Sequence, residues 1–413
     1  MIKNKHFNFS RNLLGNRDLK TKDTIGNNKT LFLFRVDPSW NAMLNVLYQQ
    51  GFKILNLSEI SNYVSRESET EILQKNHIVE IIQNFCSHQH INISHILIGK
   101  ILPVLENYLI CAPEIVQSIN LEIDKYNPLA FLSSEKSLCI ELIYSHIAHS
   151  RNIPVIAWQH GDGPFYPPMQ IFVEISDSDI HMSYGPGHQA MIRAASHNHF
   201  DTQIESVGSL ILEKLYFEQS GNRHKHKILY VTSQFYYNHY YINLYPTPDN
   251  TLWHYQKTIL NLLGNLHIPV IFKLMPQEYE TPLFSEYITK KGFNNITLIH
   301  YERSFLDLLN DADIVICDYP STPVIEAIAA RKIIFVLLDS PFLSKEALEL
   351  LKKRVYWSDN IEEFVKIIFN YLNEKPINQN PDIKNTEYLE KYGVHKLDGK
   401  VSERALKIIE KAI

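Results

Sequence analysis

Glycine is scarce in this chain, with 14 residues among 413, about half the roughly 7% usual in globular proteins. Neither a G-x-G-x-x-G dinucleotide fingerprint nor a P-loop is present, so a bound phosphate must be met by something other than a glycine cradle. Cysteine is equally sparse. Cys86, Cys111, Cys139 and Cys317 lie far apart, with no C-x-x-C pair and no His/Cys set at zinc spacing, which fits a reducing compartment and argues against a structural zinc. No run approaches the roughly 18 apolar residues of a membrane span, and the stretch from Met1 to Asp23 lacks the apolar centre of a secretory signal. Charge is nearly balanced, 40 Lys and Arg against 45 Asp and Glu for a net −5, which argues against nucleic acid as a partner. The expected location is the cytoplasm, and the basic tail from Lys3 to Lys22 leaves open a peripheral contact with anionic lipid at the inner face of the membrane.

What the chain does have is apolar bulk, 45% of its residues, enough for large cores and too much for intrinsic disorder. At about 100–200 residues per domain the length suggests two domains. Short apolar strands alternate with longer helical stretches. In the first half the strand candidates are Leu31–Val36, Phe52–Leu57, His95–Leu102, Leu129–Ser133, Ile153–His160, Ile180–Gly185 and Ile204–Ser209, with helices over 40–50, 69–85 and 137–151. The polar segment Glu218–Lys227 reads as a linker. The alternation then restarts with Lys227–Ser233, Ile268–Pro276, Ile296–His300, Ala312–Asp318 and Lys332–Leu338. This pattern predicts an α/β protein with parallel, doubly wound sheets. The expected division is a polar tail over 1–30, a first Rossmann-like domain over 31–217, a linker over 218–227, a second Rossmann-like domain over 228–385 and a helical segment over 386–413. A ligand site is expected in the cleft between the two domains.

The most informative segment is Asp313–Ser340. A buried strand ends at Asp318, a tight turn follows, and Ser321 or Thr322 stands at an N-cap position with Pro323 at the start of a helix. Free backbone N–H groups and the helix dipole at such a strand–turn–helix bind phosphate, and two hydroxyls add donors. A capped helix of purely structural meaning is the competing reading. In WQHGDGPF, Trp158–Phe165, Gly161 and Gly163 permit a tight loop beyond a strand edge that presents His160. An imidazole there suits a general base at neutral pH, with Asp162 as the alternative base or as the group orienting it. The acidic pairs Asp177/Asp179 and Asp311/Asp313 sit at strand entries, on the edge opposite the expected site, so no metal and no cofactor is expected. Gly185-Pro186-Gly187 reads as a strand-to-helix turn of the first domain, bordering the cleft or purely structural.

The string around Asp318, Tyr319, Ser321, Thr322 and Glu326 resembles the donor-site signature of GT-B glycosyltransferases of bacterial surface-polysaccharide assembly, including CDP-glycerol glycerophosphotransferases and capsule sialyl- and Kdo-type transferases. The segment Leu397–Lys411 resembles the D-G-K-A-S-E-R stretch that closes many of these enzymes, and the His160-Gly161 pair and Gly208-Ser209 match in the first half. The resemblance implies a GT-B fold, two Rossmann-like domains facing a central cleft. It also implies transfer of a sugar, or a polyol phosphate, from a nucleotide-sugar donor to a carbohydrate or lipid-linked acceptor. Asp318, Ser321, Thr322 and Glu326 would then bind the donor, joined by Thr232 and Ser233 in the loop over its phosphates and by Lys273 or Gln277. Gly161 and Gly163 would lie on the acceptor side, and the aromatic run to Tyr241 offers stacking surface. The chain departs from the pattern at Met275-Pro276, where related enzymes carry His-Pro. Two alternatives stay open: a nucleotide-sugar 2-epimerase of the same fold, and a non-catalytic partner in a polysaccharide assembly complex.

Overall fold

The computed structural model describes residues 29–57, 79–80, 83–84, 115–134, 136, 139–161, 173–196, 201–218, 227–233, 235, 247–275, 281–339, 341 and 343–413. The expected helix over 69–85 falls almost wholly outside them, and so do the expected strand His95–Leu102 and most of the expected linker.

Among the described residues, twelve strands form two six-stranded parallel sheets. The first holds β1 (Lys29–Leu33), β2 (Phe52–Asn56), β3 (Ala130–Ser133), β4 (Val155–Trp158), β5 (Ile180–Ser183) and β6 (Gln203–Ser206), in the order β2-β1-β3-β4-β5-β6. The second holds β7 (Ile228–Val231), β8 (Val270–Lys273), β9 (Ile296–Ile299), β10 (Ile314–Cys317), β11 (Ile333–Leu337) and β12 (Tyr356–Ser358), in the order β12-β11-β10-β7-β8-β9. Strands β3, β4 and β10 are buried along their whole length. That is why they read as continuous apolar runs rather than as alternating ones. The strands are shorter than their apolar runs because residues such as Phe34 and Leu338 belong to the buried crossings beyond each strand. The sequence pattern missed β12, which has three residues and too little length to show a period.

Among the described strands, each sheet reverses order once. In the first the chain steps from β1 outward to β2 and returns to place β3 on the other side of β1; in the second it steps from β7 through β8 to β9 and returns to place β10 beside β7. The carboxyl ends on either side of such a reversal border the crevice where ligands bind in open α/β sheets.

The last stretch of chain returns to the first sheet. A π-helical turn, Glu390–Val394, and the helix Val401–Ala412 pack against the helix Leu210–Phe217. The Gly393 carbonyl accepts from Ser209 N at 2.9 Å, and Arg404 donates through Nε to the Val207 carbonyl at 2.9 Å. One apolar cluster runs through both halves, from Leu31, Trp40 and Trp158 to Val315, Ile325, Tyr392 and Ile409. Gly187 makes this docking possible, because a methyl group there would stand 2.2 Å from the Tyr392 ring, and one at Gly185 would stand 2.2 Å from the Lys391 carbonyl oxygen. The Gly185-Pro186-Gly187 turn therefore seats the returning chain.

Candidate functional site

In the second half the site is built on the β7/β10 reversal. The helix Thr322–Ala329 starts directly after the turn that follows β10, with Ser321 as its N-cap and a proline in its first turn. Ser321 makes no side-chain bond to its own helix, so the helix N-terminus keeps the amide positions that Ser, Thr or Asp caps normally satisfy. Thr322 and Glu326 are half-buried on the same helix, one turn apart.

Beside this turn Asp318 is buried, and both of its oxygens are engaged by protein donors. Ser233 donates to Oδ1 from its backbone N at 2.7 Å and its hydroxyl at 2.8 Å, while Gln256 Nε2 at 2.9 Å and the Tyr230 hydroxyl at 3.3 Å donate to Oδ2. Burial pushes the carboxyl up to about 6, opposed by these four hydrogen bonds. The resemblance places Asp318 against the donor, whereas its contacts here tie the loop after β7 to the turn after β10. Thr232, in that loop, has a buried hydroxyl with no hydrogen-bond partner among the described residues. Lys273 ends β8 as a buried lysine whose ammonium donates to the His300 carbonyl, joining the ends of β8 and β9. Burial lowers its pKa. Met275 is described, whereas Pro276 and Gln277 lie outside the described residues.

In the first half the site lies at the β1/β3 reversal and on β4 beside it. His160 follows β4, and its Nδ1 stands 3.8 Å from Oδ2 of Asp37, which follows β1. Asp37 is the N-cap of the helix Pro38–Gln49, its Oδ1 accepting from Trp40 N at 2.8 Å. The helix is pinned to the sheet by Trp40, whose Nε1 donates to the Ser133 carbonyl at 2.7 Å and whose ring meets Trp158 edge-on at 5.2 Å between centroids. The backbone at His160 is braced by Gln159. Its Nε2 donates to the Gly161 carbonyl at 2.9 Å, and its Oε1 accepts from Tyr184 N at 2.8 Å. Asp162 and Gly163 lie outside the described residues, as do the tyrosines from Tyr236 to Tyr241.

The two halves meet. A methyl group added at Gly161 would stand 3.3 Å from Thr322 Oγ1 and 3.9 Å from Thr322 Cγ2. The loop carrying His160 thus touches the first residue of the helix that follows β10. The acidic pairs are placed elsewhere: Asp179 accepts from Val155 N at 2.7 Å and pairs with His149 at 3.1 Å, and Asp311 pairs with Arg303 at 2.8 Å. Among the described residues no group of three or more His, Cys, Asp or Glu could hold a metal ion, and no helix is long and apolar enough to cross a membrane.

Residues 2–353 match the family described as LIC12162 family transferase. No curated protein matches the chain. Among solved structures, the chain is similar to the S. aureus MnaA–UDP complex at 12% identity and a TM-score of 0.54, over 94% of this chain and 98% of that one. It is also similar to the UDP-GlcNAc 2-epimerase of Neisseria meningitidis bound to UDP-GlcNAc, at 14% identity and a TM-score of 0.53, over 92% and 99%. At this identity the likeness speaks to the fold alone: two Rossmann-like domains in the GT-B arrangement.

Proposed function

The chain belongs to the LIC12162 transferase family, and from that premise we propose that it is a glycosyltransferase, moving a sugar or a sugar-like polyol phosphate from a nucleotide-activated donor to a carbohydrate or lipid-linked acceptor. The observation that carries this reading is the approach of Gly161 to Thr322, which sets the loop that carries His160 in the first half beside a helix N-terminus in the second. The second half, proposed to span 228–385, holds the donor. Ser321, Thr322 and the amides of the helix start receive its phosphates, and the orphaned Thr232 hydroxyl is a further donor to them. Asp318 and Ser233 keep the loop and the turn in register around the phosphates, and Glu326 lines the same helix. Lys273 acts on the donor only through the strand ends it ties.

The first half, proposed to span 31–217, brings the acceptor. In sugar transfer His160 takes the proton of the acceptor hydroxyl as its oxygen bonds to the donor carbon. The bond from that carbon to the phosphate oxygen breaks, and the nucleotide leaves with the electron pair. The helix dipole and the hydroxyls meet the charge that develops on the leaving phosphate, so the reading assigns no metal or other cofactor. The acidic pairs lie at strand entries, away from this crevice, in keeping with that assignment. Holding both reactants in one crevice supplies much of the rate by orientation. The surface-polysaccharide setting, and a cytoplasmic location at the inner face of the membrane, rest on the resemblance of the motifs.

The two structural relatives named above are described with UDP or UDP-GlcNAc, which favours a nucleoside diphosphate donor and supports a second reading as a 2-epimerase. Incubation with nucleotide sugars, with and without carbohydrate acceptors, separates the two. Product that forms only with an acceptor is expected. Conversion of the nucleotide sugar to an epimer without acceptor would overturn the transfer reading.

A further inference from the structure

We propose that Asp37 is the positioning residue for His160: its buried carboxylate holds the proton on Nδ1 and leaves Nε2 as the basic nitrogen turned to the cleft. The inference rests on the general-base reading of His160, and it names a residue that the motifs around His160 do not contain.

Three observations meet at this pair. The Asp37 side chain is 1% exposed, and Oδ2 has no hydrogen-bond partner among the described residues. A buried carboxylate oxygen left unmatched is costly, and the His160 imidazole stands 3.8 Å from Oδ2. His160 itself is 39% exposed, yet its Nδ1 is shut off from solvent on the Asp37 side. The open part of the ring therefore includes the other edge, and Nε2 is the remaining nitrogen. Asp37 is also fixed. Its other oxygen caps the helix Pro38–Gln49, which Trp40 locks to the β3 end, so the carboxylate cannot swing away without uncapping that helix.

A carboxylate on Nδ1 selects one neutral tautomer, the one whose Nε2 lone pair accepts a proton, and it stabilises the imidazolium formed once the proton has moved. The 3.8 Å separation is longer than a hydrogen bond, and such contacts commonly shorten when reactants fill the site. Asp162, read from the sequence as the alternative base or the group orienting His160, lies outside the described residues.

The test is the tautomer of His160 in full-length protein labelled with 15N-histidine, its signals identified by their loss in His160→Gln. In the wild type the neutral ring is expected to carry its proton on Nδ1. Asp37→Asn keeps an oxygen for the cap, since Asn caps as well as Asp, but turns an N–H toward Nδ1; the proton is expected to move to Nε2 while the melting temperature stays put. Asp37→Ser, which caps without a second oxygen, is expected to give a mixture and serves if Asp37→Asn does not fold. A proton on Nε2 in the wild type, or a tautomer indifferent to both substitutions, overturns the proposal. With a donor and acceptor in hand, Asp37→Asn is expected to lower kcat by on the order of 10²–10⁴-fold with donor KM unchanged. An equal loss at His160→Gln would accompany it. The tautomer reads Asp37 without any substrate, so a failure of the transfer reading and a failure of this one give different results.

Discussion

At the scale of single residues, the site depends on side chains that are absent as much as on those present. Gly161 leaves room for Thr322, and a methyl group would enter a 3.3 Å contact that the Thr322 side chain relieves by shifting a few tenths of an ångström. Gly161→Ala is therefore expected to be mild. Gly161→Val adds two methyl groups to the same gap and is expected to lower turnover about 100-fold by displacing the His160 loop, with little change in melting temperature; steady-state rates beside a thermal melt check this. Asp318 carries a pH prediction. Its folded pKa, raised to about 6 from 3.8, means that the folded state binds the extra proton between those values. Its contribution therefore favours folding below pH 4 and is lost as the pH rises through 6, a change of about 3 kcal/mol. Urea titrations at pH 4.5 and 7.5 are expected to show this added acid stabilisation in the wild type and not in Asp318→Asn. Nucleotide affinity is expected to run the other way and weaken below pH 6, where the protonated carboxyl no longer accepts all four bonds.

The turn at Ser321 was legible from sequence because cap chemistry is local: a strand end, a hydroxyl and a proline within a few residues define it. The pairing of Asp37 with His160 was not. Asp37 belongs to none of the motifs read from the sequence, and only the β1-β3-β4 order brings it beside His160. Asp318 was legible as a member of the motif, but not its ties to Ser233, Gln256 and Tyr230, which come from other elements.

At the scale of elements, the alternation of buried strands and helices was readable because parallel strands are apolar along their whole length, whereas β12 is too short to show it. The returning C-terminal chain was readable only as a helical segment; its seat on the first sheet depends on small residues whose purpose is invisible until the partner is placed. Gly187 faces Tyr392 and Gly208 faces the Val394 carbonyl. Gly187→Ala is expected to destabilise the protein by about 1–3 kcal/mol through overpacking. Adding Tyr392→Leu, which removes the ring from that gap, is expected to cost less than the sum of the two single changes. Urea midpoints for the four proteins of that cycle measure the coupling, and strict additivity would place Tyr392 away from Gly187.

At the scale of the whole molecule, the loop after β4 meets the start of the helix after β10, and one apolar cluster joins the two sheets that carry them. Scarce glycine fits this architecture: in the proposed function phosphate is met by a hydroxyl-bearing helix start, and glycine stands where chain approaches chain, at Gly161 and along the returning segment. In the proposed function the start of the helix Thr322–Ala329 is a nucleotide-phosphate site. A thermal-shift panel of CMP, CDP, UDP, GDP and their sugars tests it most directly, run on the wild type and on the Ser321→Ala/Thr322→Ala protein. At least one nucleoside diphosphate is expected to raise the wild-type melting temperature, and the double substitution is expected to abolish the shift without changing the melting temperature of the free protein. A panel without any shift, or a shift that survives the loss of both hydroxyls, would contradict it.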